Sequence, residues 1–174
     1  MSTPPGNVTI RRARPDDVEF LLELVTDGET RPYLSVPGEF GADDVLAEIE
    51  RSDREPEVMG SFVVEVGGER AGSVGYRVVN ERNRIVEGRR LAIAPRFRGT
   101  GIGEAAARLF QRHLLVDLGF HRVELQIYGF NERAIAHSER SGYVREGVKR
   151  KAYLKDGEWQ DAVLFALVRE DLDE

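Results

Sequence analysis

Residues Glu87–Gly103 read EGRRLAIAPRFRGTGIG, and this stretch decides how the chain is read. Its first half continues a strand that runs from Ile85 to Ala94 and stops at Pro95, which cannot donate to a sheet ladder. Its second half, Arg98-Gly99-Thr100-Gly101-Ile102-Gly103, opens a long helix predicted from Thr100 to Leu118, with Ile102, Ala106, Leu109, Phe110 and Leu114 at helical spacing. Glycine allows left-handed backbone and close approach of a ligand. The first amides of a helix have no partner within it, and its dipole favours an anion there. Three readings fit these glycines: a plain tight turn, a dinucleotide fingerprint, or a pyrophosphate loop for coenzyme A. The dinucleotide motif needs GxGxxG after a first strand. Here the spacing is GxGxG and follows several strands.

Upstream, Val8–Arg14 reads as a strand, and Pro15-Asp16-Asp17 opens a helix with Val18, Leu21, Leu22 and Val25 as its apolar stripe. A loop from Gly28 to Gly41 precedes a second helix with Val45, Leu46 and Ile49 on one face. Strands at Ser61–Val66 and Ala71–Val79 meet at Gly67-Gly68, a strong hairpin signal. Downstream, Val123–Tyr128 is a strand. Asn131–Ser141 is a short helix capped by Asn131 and stopped by Gly142. Strands near Val144–Leu154 and Ala162–Val168 close the chain around Asp156-Gly157. The order βααβββαβαββ makes a mixed sheet covered by helices, an α/β (α+β layered) fold. No repeat or linker interrupts residues 1–174, so a single domain is expected.

The chain has no cysteine, which excludes disulfides and thiolate chemistry and suits the cytoplasm. Its three histidines, His113, His121 and His137, show no metal-ligand spacing, so no metal is expected. A net charge of −6 disfavours nucleic acid as a partner. No apolar run approaches the ~20 residues that cross a bilayer, and the start, MSTPPGNVTI, lacks a leader pattern. Residues 1–87 carry 10 Lys and Arg against 18 Asp and Glu, while residues 88–174 carry 15 against 13. Such asymmetry suits a cationic substrate on one half and an anionic cofactor on the other, or plain solvated surface.

The run Glu87–Gly103 closely resembles the core motif of the GNAT (GCN5-related N-acetyltransferase) family. That motif is a strand, a proline, then (Gln/Arg)-x-x-Gly-x-(Gly/Ala) opening a helix. Arg98, Gly101 and Gly103 fill its three fixed positions. The run NERAIAHSERSGYVREG from Asn131 resembles the family's second motif. The tail RKAYLKDGEWQDAVLFALVRED looks like the ribosomal-protein and diamine acetylating branch. The resemblance implies a mostly antiparallel sheet of about six to seven strands covered by about four helices, acetyl-CoA as cosubstrate, and a primary amine as acceptor. The amine would belong to a peptide N-terminus or a small molecule; a homodimer is an open assembly.

A lysine-like ammonium with pKa ~10.4 must lose a proton before attacking a thioester, and the departing thiolate gains from a donor. By resemblance, Glu87 is the general base. The backbone of Leu91, Ala92 and Ile93 pairs with the pantetheine arm. The turn Gly99, Thr100, Gly101, Ile102 and Gly103 holds the pyrophosphate, and Arg96, Arg98 and Arg140 reach the phosphates. Asn131 and Ser138, seven residues apart, share a helix face about 10 Å apart along the axis, with small Ala134 between them. Asn131 would contact the coenzyme arm, or only cap the helix. Many family members have tyrosine at the place of Ser138 as the acid; a serine hydroxyl donates more weakly. Tyr128 and Tyr143 are nearby alternatives, although Tyr143 suits the core. A noncatalytic acyl-CoA-binding sensor on the same fold is the competing function.

Overall fold

The computed structural model describes residues 6–173. Residues 1–5, part of the start read for a leader pattern, lie outside them. Among the described residues the chain forms seven strands: β1 (Val8–Arg12), β2 (Met59–Val66), β3 (Glu69–Asn80), β4 (Ile85–Ile93), β5 (Arg122–Tyr128), β6 (Val144–Lys155) and β7 (Glu158–Val168). Four α-helices accompany them: α1 (Val18–Thr26), α2 (Ala42–Arg54), α3 (Ile102–Arg112) and α4 (Glu132–Arg140). The sheet order is β1-β2-β3-β4-β5-β7-β6. The register is antiparallel for β1–β2, β2–β3, β5–β7 and β6–β7, and parallel for β4–β5. The expected layered α/β fold with a mostly antiparallel sheet is what forms.

Two compact units emerge. One comprises 6–78 with Gly88–Phe110, the other Val79–Glu87 with 111–173. In the first, Ala13, Leu21, Val45, Ile49 and Val63 form a core against which Val18, Phe20, Leu22 and Phe40 pack. Leu24, rather than Leu22, joins the fully buried face of α1. Phe62, Tyr76 and Phe110 meet as a ring cluster, with centroids 5.6–6.3 Å apart. A buried carboxylate sits at the start of this unit. Asp17 accepts from Arg11 (2.7 and 3.0 Å), from Arg70 Nε (2.8 Å) and from the Arg14 amide (2.8 Å). Burial alone would raise its carboxyl. The bonds from Arg11 and Arg14, with the Arg11 and Arg70 charges, outweigh that and hold it below its ordinary value.

In the second unit Leu114, Leu115, Val123, Phe165 and Leu167 are buried. The helix expected to run to Leu118 stays α-helical only to Arg112. It then widens into a π-turn over His113–Asp117, closed by Leu118 N–H to the His113 carbonyl at 2.9 Å. Leu109, predicted for the inner stripe, is exposed, whereas Gln111 is buried. Gln111 Nε2 donates to the Ser141 carbonyl at 2.9 Å, satisfying an acceptor that the end of α4 leaves without an intrahelical partner. Asp156 and Gly157 have φ of 51° and 81°, the left-handed pair that a two-residue hairpin requires.

Candidate active site

In the first unit the predicted anion loop follows β4. Gly99 and Gly101 have φ of 74° and 80°, and a Cβ built on either would meet nothing within 4 Å. Open space on left-handed glycines suits close approach of a phosphate. The Gly101 carbonyl accepts the Ala105 amide at 3.1 Å, so α3 starts immediately after it, and its first amides are those of Ile102 and Gly103. Thr100 Oγ1 donates to the Phe97 carbonyl at 2.6 Å, tightening the turn. These residues fit an anion such as a pyrophosphate.

Arg98, expected at the phosphates, is held by groups of the chain itself. Its Nε donates to the Ile93 carbonyl (3.0 Å), Nη1 to Glu29 (3.1 Å) and Nη2 to Thr30 Oγ1 (2.7 Å). It is a strut between the end of β4 and the loop after α1. Arg96 bonds Glu69 at 2.8 Å and lies over the Phe97 ring. Along β4, Ala92 is buried while Leu91 and Ile93 are half-buried. Arg90 is left-handed, with φ of 52°, a conformation that costs a non-glycine residue roughly 1 kcal/mol or more.

In the second unit, Ile85–Glu87 of β4 pairs in parallel with Arg122–Glu124 of β5. Strand alternation puts Glu124, Gln126 and Tyr128 on one face. Gln126 Nε2 donates to Glu87 Oε2 at 3.1 Å. The Gln126 side-chain oxygen, Oε1, accepts from the Tyr153 hydroxyl and, at 3.3 Å, from Lys149 Nζ. Sequence reading missed Gln126, Lys149 and Tyr153. The polar alternation in β5 was the available signal for Gln126. Nothing local marks its partners, 23 and 27 residues away. Tyr128 stacks on Phe130 at 5.2 Å and meets Tyr153 edge-on at 6.3 Å.

On α4, Asn131 caps as predicted, accepting the Ala134 amide at 3.1 Å. Ser138 is buried, and its hydroxyl donates to the Ala134 carbonyl at 2.9 Å, within its own helix. Arg140 is exposed at the end of α4. Tyr143 is buried, and burial pushes its hydroxyl up to about 12 despite an opposing bond with Gln111. It stays protonated at neutral pH and is a core residue. Among the described residues no group of three His, Asp or Glu side chains is placed to hold a metal ion. Nor is any helix long and apolar enough to cross a membrane.

A strand leading into a glycine turn that opens a helix, inside this strand order, defines an acetyltransferase of the GNAT class. The family model "Acetyltransferase (GNAT) domain" matches residues 7–144, and the chain belongs to that family. It is an acetyl-CoA-dependent N-acyltransferase. The chain is 23% identical over 167 residues to the SPbeta prophage-derived uncharacterized N-acetyltransferase YokL of Bacillus subtilis (96% of this chain, 93% of that one). It is 27% identical over 171 residues to the putative ribosomal N-acetyltransferase YdaF of the same organism (95% and 93%). Spermidine N-acetyltransferase from Vibrio cholerae, solved with CoA and spermine, superposes with a TM-score of 0.85 at 21% identity (96% and 98%) and shares the fold.

Proposed function

We propose that the chain transfers the acetyl group of acetyl-CoA to a primary amine by direct attack while both are bound, with Glu87 as general base. The observation that carries this reading is the carboxylate of Glu87, bonded to Gln126 and through it to Tyr153 and Lys149, on the strand that runs into the anion loop. Bound acetyl-CoA supplies the activated acyl group, its carbon–sulfur bond breaking as the amine nitrogen bonds to the acetyl carbon. Glu87 accepts the proton that the ammonium must lose, directly or through water. Gln126 fixes the orientation of that carboxylate. The amides of Ile102 and Gly103 and the bare backbone of Gly99 and Gly101 hold the pyrophosphate. The backbone of Leu91, Ala92 and Ile93 lies along the pantetheine arm, with the Ile93 carbonyl already engaged by Arg98. Asn131 and Ala134 contact the same arm, and Arg96 and Arg140 reach the phosphates. The relatives support an amine acceptor, since one is a putative ribosomal N-acetyltransferase and another was solved with spermine. A cytoplasmic location and a homodimer belong to the same proposal. Release of the CoA thiol over a panel of amines tests it. Turnover with at least one amine and a melting temperature raised by acetyl-CoA are expected. Binding of acetyl-CoA with no turnover on any amine would leave only the sensor function.

A further inference from the structure

The first unit contains a cavity of about 50 Å³ whose wall includes Phe40, Glu48, Ser73, Tyr76, Arg89 and Arg90. That is room for roughly three water-sized groups, at the ~15 Å³ that each needs. Its charged lining is one carboxylate against two guanidiniums. One oxygen of that carboxylate is taken, because Arg90 Nη1 donates to Glu48 Oε2 at 2.6 Å. Arg90 lies with its guanidinium 5.1 Å from the centroid of the Phe40 ring, and the Ser73 hydroxyl donates to its carbonyl at 3.1 Å. The backbone of Arg90 is held left-handed to put it there. Its Nε is buried and has no hydrogen-bond partner among the described residues. A buried donor left unsatisfied is unfavourable, so such a site selects a ligand that brings an acceptor atom.

Amines divide sharply on that criterion. A protonated polyamine offers only N–H donors and positive charge, the same chemistry as a guanidinium, and the lining's one carboxylate already balances Arg90 while Arg89 adds a second positive charge. An amine with a carbonyl on the adjacent carbon offers an oxygen acceptor three bonds from its nitrogen. Arg90 is also the residue immediately before Leu91, where the proposed pantetheine segment begins. We infer that the acceptor is an α-amino acyl compound, whose carbonyl oxygen takes the Arg90 Nε–H while a short first side chain lies against Phe40 and Tyr76. This rests on the acetyltransferase reading and narrows its acceptor. Arg90 is then a specificity-determining residue.

The test compares kcat/KM on the parent chain for four acceptors: an alanine-initiated tripeptide amide, free alanine, isopropylamine (alanine with a methyl in place of its carboxyl group) and spermidine. One added charge-assisted hydrogen bond predicts a preference of ~10- to 100-fold for an α-amino acyl acceptor over isopropylamine. If the tripeptide amide leads, the source is a peptide N-terminus; if alanine leads, a free amino acid. Either result bears the inference out. Arg90→Lys keeps a cation for Glu48 but loses the Nε–H, so the preference should fall toward one. Equal rates on isopropylamine and the tripeptide amide, or spermidine as the best acceptor, would overturn the inference while leaving the acetyltransferase reading intact. Absence of turnover with every amine would overturn both.

Discussion

Ser138 shows what a motif position carries and what it omits. Its place in the family pattern was legible, and so was its shared face with Asn131. Where its hydrogen points was not, because a buried serine can bond back to the carbonyl four residues earlier, and it does so to Ala134. Ser138→Ala should therefore leave the single-turnover rate with acetyl-CoA within about twofold of the parent. A slowing of tenfold or more would assign the serine as the proton donor. Glu87→Gln is expected to behave in the opposite way. It keeps the shape and the contact with Gln126 but removes the base, so turnover at neutral pH should fall by ~10²-fold with acetyl-CoA binding little changed. The deficit should shrink toward high pH, where the amine deprotonates without help. A Gln variant as active as the parent would dismiss the role. Glu87 was legible because it precedes the glycine turn on the same strand. Gln126 was not, because only the pairing of β4 with β5 brings it to the carboxylate.

Elements were most legible where a special backbone forces a residue type. The left-handed backbone at Gly99, Gly101 and the Asp156-Gly157 turn was legible for that reason. Gly101→Ala forces a side chain into left-handed backbone, so it should cost about 1–2 kcal/mol by thermal or urea unfolding. Its Cβ meets no protein atom within 4 Å, so the fold should survive. Yet that Cβ would stand where the proposed pyrophosphate site lies. The rise in melting temperature caused by acetyl-CoA should largely disappear in the variant. An unaltered rise would move the phosphate site elsewhere. The second half of the long helix was the least legible element. Periodicity assumes i to i−4 bonding, whereas the chain switches to a π-turn at His113. Gln111 broke the apolar stripe for a tertiary reason, the Ser141 carbonyl, that no window of sequence contains.

For the molecule as a whole, element order was readable, but the insertion of β7 between β5 and β6 was not, since cross-strand pairing is nonlocal. The boundary between the two compact units falls inside β3 and β4 and before Gln111, where no change of composition marks it. Global stability has one conspicuous ionic anchor. The folded Asp17 carboxyl lies below its unfolded value of 3.8. Its contribution is therefore fully present above that pH and is lost as pH falls through the lower folded value. Asp17→Asn leaves Arg11 and Arg70 facing a neutral amide. It should destabilise the chain by about 3 kcal/mol near pH 7, and the gap between variant and parent should narrow below pH ~4. Urea unfolding at pH 7 and pH 3 measures both. An equal deficit at the two pH values would assign the effect to shape rather than charge.

The position of β7 has a consequence for how the protein is made. β7 is hydrogen-bonded to β5 on one side and to β6 on the other. Among the described residues, the last strand in chain order is thus an interior strand of the second unit. Until it emerges, β5 and β6 have no ladder to share, and both present open edges to whatever else the cell contains. The first unit is fully translated by Phe110, whereas the second needs residues as late as Val168 to complete its strands. A ribosome stalled anywhere between Tyr128 and Val168 would hold a chain whose β5 edge is not fully covered.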